Sequence, residues 1–201
     1  MNPPPTQSAL RRTTRLVALL NLSYFGIEFA VALLIGSVSL FADSVDFLED
    51  ASVNFLILAA LNWPARRRAN LGRLLAGVLL VPGIATLWMA WHKFNVPLAP
   101  EPTLFSLTGA GALAVNLSSA LMLVRYRRGS SLMRAAFLSA RNDVFANIAI
   151  IAAGLTTVFY RSAWPDLIVG LGIALLNADA AREVWQAASK EHRSSIASQG
   201  S

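Results

Sequence analysis

Six apolar stretches, each near the length that crosses a bilayer, follow one another through residues 14–182 with only short polar breaks between them. A hydrocarbon core about 30 Å thick calls for around 20 mostly apolar residues per helix, and within it every backbone group must be satisfied inside its own segment. The runs lie near 14–36, 38–62, 73–93, 103–124, 132–158 and 164–182. The breaks are turn and charge signals: Gly36-Ser37, Pro64 to Arg68, Pro97 to Pro102, Arg125 to Ser130 and Arg161 to Pro165. At 55% hydrophobic and only 14% charged residues, the chain is too apolar for an ordinary soluble domain. The expectation is an all-α integral membrane protein of six transmembrane helices.

The N-terminus has the basic start and apolar continuation of a signal peptide. Yet the apolar stretch runs on for about 20 residues, carries Asn21 and Glu28, and offers no small-residue cleavage site, so it reads as the first span. Arg11, Arg12, Arg15, the Arg66 to Arg73 group, Arg125, Arg127, Arg128, Arg134, Arg182, Lys190 and Arg193 all fall on one side of the six spans, against Lys93 and Arg161 on the other. By the positive-inside rule both termini are cytoplasmic, and an inner, cytoplasm-facing membrane is the expected location. The same clustering explains the net charge of +6 as a topology signal rather than a nucleic-acid face, and no nucleic-acid partner is expected. Trp63, Trp88, Trp91, Trp164 and Trp185 sit near span ends, where amphipathic rings anchor at the interface. The layout is then a tail over 1–13, a membrane domain over 14–185 in contact with the lipid bilayer, and a short polar, disordered tail over 186–201.

Against this background the acids of the second run stand out. Asp46 and Asp50 are four apart and share a helix face, which Asp43 and Asn54 extend, while Glu49 lies to one side. An ionised Asp at the bilayer centre costs about 2.5–3.5 kcal/mol on insertion scales, so such residues face a bundle interior and hold a cation, a proton or a partner charge. Two aligned carboxylates with no base on the same helix repel each other unless a cation lies between them. Asp43, nearest the start of the run, is expected to touch water at the outer interface, with Glu49 a weaker candidate for the same position. In the fifth run Ser139, Asp143 and Asn147 recur every four residues, with Arg141 and Asn142 beside them. The two stripes offer carboxylate, hydroxyl and amide oxygens with no cysteine anywhere and no imidazole in either helix; His92 and His192 lie at a span end and in the tail. An all-oxygen set suits harder cations, although Zn²⁺ also accepts carboxylate oxygen. The candidate metal-ligating residues are Asp46, Asp50, Asp143, Ser139 and Asn147, with Asp43, Glu49 and Asn142 as accessory candidates.

These residues resemble the cation diffusion facilitator family of divalent-metal transporters. The passage NLSYFGIEFAVALLIGSVSLFADS is similar to that family's opening, with its Asn, its Glu and its Gly-Ser-x-Ser-Leu-x-Ala-Asp entry to the second helix. The family's paired ligands four apart are matched by Asp46 and Asp50; on the fifth helix Asp143 matches, while Ser139 stands where a His or Asp is usual. GALAVNLSSALML, with Asn116, and PDLIVGLGIALL also look similar, so the likeness covers nearly all of residues 17–185. The resemblance implies a six-helix homodimer that exports Zn²⁺, Mn²⁺, Fe²⁺ or Co²⁺ in exchange for protons, with no prosthetic group and no enzymatic activity. It also implies a cytoplasmic metal-binding domain after the sixth helix, which this sequence is expected to lack. Asn142 or Asn147 is the candidate to fill the place of the missing ligand. The competing reading is a non-transporting regulatory subunit derived from the same family. A membrane enzyme fits less well, because no nucleophile with its base, phosphate loop or zinc-protease motif is present.

Overall fold

The computed structural model describes residues 7–60, 84–128 and 131–177, all helical apart from short connections. The helices are α1 (Gln7–Ile35), α2 (Val38–Ala60), α3 (84–95), α4 (Pro102–Leu123), α5 (Ser131–Phe159) and α6 (Trp164–Asn177), with a 3₁₀ turn, Val124–Tyr126, after α4. Each of the six expected spans thus has a helix in place. Trp63, Arg66, Arg67, Arg68, Arg73, Trp185, His192 and the 186–201 tail lie outside the described residues. Helix α1 runs from Gln7, so Arg11 and Arg12, just before the apolar run, are helical like Arg15 within it. Ala, Leu and Arg are good helix formers, and nothing in this stretch stops the helix where the apolar run ends.

The packing is inverted relative to a water-soluble protein. Leu34, Trp88 and Phe159 are 70–82% exposed, whereas Asn21, Glu28, Asp43 and Asn147 are fully buried. Such an exterior suits hydrocarbon and not water, and α1, α4 with its 3₁₀ extension, and α5 are each long and apolar enough to cross a membrane. These features make the chain a multi-pass membrane protein.

Helix order follows from local chemistry. Gly36 adopts φ 63°, the left-handed conformation that ends α1, and the Ser37 amide donates back to the Ala32 carbonyl at 2.9 Å. Ser37 then caps α2 by accepting from the Leu40 amide at 3.2 Å. This tight reversal sets α1 and α2 side by side; α4 and α5 form a second pair, and α1–α4 and α2–α5 contacts close the four into a ring. One core, with Leu40, Phe41, Phe105, Ile150 and Ile173, lies toward the α1–α2 turn; another, with Val17, Ile57, Leu123, Tyr126 and Met133, lies toward the opposite end. At the entrance to α4, Glu101 accepts from the Thr103 and Leu104 amides at 3.0 and 2.6 Å, with Pro102 at the first helical position.

A buried clasp joins three helices beside the α1–α2 turn. Asp166, at the start of α6 and fully buried, accepts from Ser37 Oγ (2.7 Å), Val38 N (2.9 Å), Ser39 N (2.9 Å) and Ser39 Oγ (2.6 Å). Oδ2, which takes the Val38 amide, also meets Lys93 Nζ of α3 at 2.6 Å, and that ammonium donates to the Gly36 carbonyl at 2.6 Å. The carboxylate therefore satisfies the free amides of the first turn of α2, where the helix dipole favours an anion. Lys93, which the charge pattern set on the side opposite the Arg-rich segments, is 5% exposed and bonded inside the bundle beside the α1–α2 turn. Four residues after Asp166, Gly170 packs so closely that a Cβ would stand 2.8 Å from Ser39 N.

Candidate functional site

Along α2, Asp43, Asp46, Asp50 and Asn54 recur at spacings of three and four and are all buried, so one face of the helix carries an acidic stripe into the bundle. The physical origin is the helical period: four residues advance the chain by slightly more than one turn, which stacks these side chains. Glu49 falls off the stripe and is partly exposed. Asp43 differs from the expectation of a wet interfacial residue, because it is 0% exposed. Helix α5 covers it, and Asn147 Nδ2 donates to its Oδ2 at 2.5 Å.

The α5 stripe faces this acidic one. Asn147 is fully buried and also accepts from Asn116 Nδ2 of α4 at 3.0 Å, so an amide chain runs from α4 through α5 to Asp43 of α2. Asp143 lies partly buried within electrostatic reach of Asp46 and Asp50, and Ser139 faces Asp50. Asn142 points away: it is exposed and accepts from Arg141 at 3.2 Å. Asn54 turns its amide nitrogen onto the Asp50 carbonyl at 2.8 Å and leaves its own oxygen without a partner. His92 is exposed on α3.

Two groups, fully buried Glu28 and partly buried Asn177, were not singled out as site residues by their sequence pattern. Glu28 of α1 lies beside Asp43 with neither carboxyl oxygen receiving a donor. Asn177, the last described residue of α6, donates from Nδ2 to Asp46 Oδ1. A polar residue inside an otherwise apolar run is the signal that marks both; their partners depend on helix rotation, which the sequence does not display.

Among the described residues, Asp43, Asp46, Asp50 and Asp143 form no ion pair, the one salt bridge being Lys93–Asp166. Among the same residues, no three acidic or imidazole side chains converge closely enough to hold one metal ion. The site is therefore a strip of carboxylates interleaved with neutral amides and a hydroxyl, and any cation held there must draw on both kinds of oxygen. All these donors are hard oxygen ligands, compatible with divalent cations.

Residues 14–190 match the family described as the cation efflux transmembrane domain. No individually curated protein matches the chain significantly.

Proposed function

The chain belongs to the cation efflux transmembrane family and is a cation efflux transporter; from that premise we propose that it exports a divalent metal ion from the cytoplasm in exchange for protons, through the carboxylate strip between α2 and α5. The observation that carries this reading is the burial of Asp46 and Asp50 opposite Asp143, with no basic partner among the described residues. Like charges held together in low dielectric call for a counter-ion. Asp46, Asp50 and Asp143 are the charged ligands; Ser139 and Asn147 supply neutral oxygen or hold the acids in place, with Asp43 as an accessory through Asn147.

Metal binding requires the carboxylates deprotonated, so protons and metal compete for the same oxygens and a proton gradient drives the exchange. Rocking of the bundle exposes the strip to one side and then the other. The chain works as a homodimer in an inner membrane, with both termini in the cytoplasm and residues 14–185 as the transport domain.

The test is uptake of Mn²⁺, Zn²⁺, Co²⁺ and Fe²⁺ into proteoliposomes under an imposed pH gradient, for the unaltered chain, Asp50→Asn and Asp143→Asn. Each substitution keeps the side-chain size and removes one charge, and flux is expected to fall at least about tenfold, the effect of a loss of 1.4 kcal/mol in cation binding. Unchanged flux from both folded variants refutes the assignment.

A further inference from the structure

Asn177 sits on a stripe of α6 that the rest of the helix fixes against α2. Asp166, Gly170, Ile173 and Asn177 succeed one another at steps of four, three and four, one face of a helix. The first is held by the clasp on α2's opening turn, the second touches α2's backbone, the third is buried in the core, and the fourth reaches Asp46. Three turns of well-anchored helix therefore aim this amide at the acidic strip.

We propose that Asn177 is a specificity-determining ligand of the transported cation, supplying a neutral amide oxygen beside Asp46 from a third helix, α6. The inference rests on the reading of the strip as the cation site. Its chemistry follows from the donor set. No three carboxylates converge among the described residues, so a cation on Asp46 needs neutral oxygens to fill its shell, and Asn177 is already in contact with that carboxylate. An amide serves both states of the site. Its NH₂ donates to Asp46 in the arrangement seen here, and a half-turn about Cβ–Cγ brings Oδ1 to a cation on the same carboxylate. A neutral hard oxygen favours Mn²⁺-like ions over ions that prefer imidazole or thiolate.

Binding of Mn²⁺ and Zn²⁺ to the purified full chain in detergent micelles, measured by isothermal titration, tests this with Asn177→Leu, Asn177→Asp, Asn177→His and, in parallel, Asp50→Asn. As a ligand, Asn177 replaced by Leu weakens Mn²⁺ binding about 10–100-fold. Asp restores it to within threefold of the unaltered chain or better, and His shifts the Zn²⁺-to-Mn²⁺ preference at least about tenfold toward Zn²⁺. A residue that merely donates to Asp46 gives the opposite order, because Asp has no donor and adds a like charge, which makes it the worst replacement. That order, or unchanged affinity in all three variants while Asp50→Asn loses binding, overturns the inference and leaves the site reading standing. Unchanged binding in Asp50→Asn as well overturns both. Should the Leu variant fail to fold, the Asp and His variants decide alone.

Discussion

Replacing Asp166 with Ala removes the acceptor for five hydrogen bonds at once: those from Ser37 Oγ, Val38 N, Ser39 N, Ser39 Oγ and Lys93 Nζ. The two serine hydroxyls can rotate to other acceptors, but the Val38 and Ser39 amides open α2 and have no carbonyl within the helix to bond. The Lys93 ammonium is left buried with the Gly36 carbonyl as its remaining acceptor. Removing one partner of a buried ion pair costs about 3–5 kcal/mol, mostly from the stranded charge, so that is the expected loss for Asp166→Ala. Lys93→Met strands less, because the carboxylate keeps four donors, and a charged hydrogen bond is worth about 1.5–3 kcal/mol. The double variant removes both charges and loses less than the sum of the singles. Unfolding by SDS titration in mixed micelles, followed by tryptophan fluorescence, measures all three. The argument fails if Asp166→Ala lies within about 0.5 kcal/mol of the unaltered chain, or if Lys93→Met is the more damaging single change.

Three further outcomes follow from the same geometry. Asn147→Ala deprives Asp43 of its donor and Asn116 of its acceptor; with Asp43 Oδ1 already unpartnered, stability in the SDS titration falls by about 2–3 kcal/mol. Gly170→Ala places a methyl 2.8 Å from Ser39 N and 2.9 Å from Val38 C, backbone atoms that cannot rotate aside. It costs about 1–3 kcal/mol and separates Asn177 from Asp46, seen as weaker Mn²⁺ binding in titration calorimetry. At Glu101, hydrogen bonds from the Leu104 and Thr103 amides hold the carboxyl below the usual glutamate range. Its capping contribution is therefore fully present above the ordinary glutamate pKa and is lost as pH falls through the lowered value. Hydrogen exchange at Leu104, corrected for intrinsic rate, should accelerate below that point in the native chain but show no such step in Glu101→Gln.

How much of this was legible beforehand divides along a physical line. Span positions and both polar stripes depend on residue spacing, which a sequence displays, and Asp46, Asp50, Asp143 and Asn147 are where the spacing puts them. Contacts between helices depend on rotation and tilt, which it does not. Lys93 showed only as a charge at a span end because its partner is 73 residues away, and Asp166 passed as part of the start of an apolar run. Asp43 was expected in water because it lies near the start of its helix; the covering amide comes from α5, and nothing local to α2 announces it. Asn142 and Asn147 were both candidates for the missing ligand, one beside the stripe and one on it, and five residues of helical rotation put the first outside the bundle and the second at its centre.

The acidic face of α2 also has a history during synthesis. Four acids make this segment a poor entrant into lipid, at about 2.5–3.5 kcal/mol each near mid-bilayer. Their hydrogen-bonding amides are encoded much later: Asn147 follows Asp43 by 104 residues, and Asn177 follows Asp46 by 131. At about 5–20 residues per second, the ribosome delivers Asn177 roughly 7–26 s after Asp46. Helix α1 lies beside α2 from the start and Asn147 reaches Asp43 before Asn177 is made, so the acidic face of α2 is covered in steps, with the partner of Asp46 the last of these to be supplied.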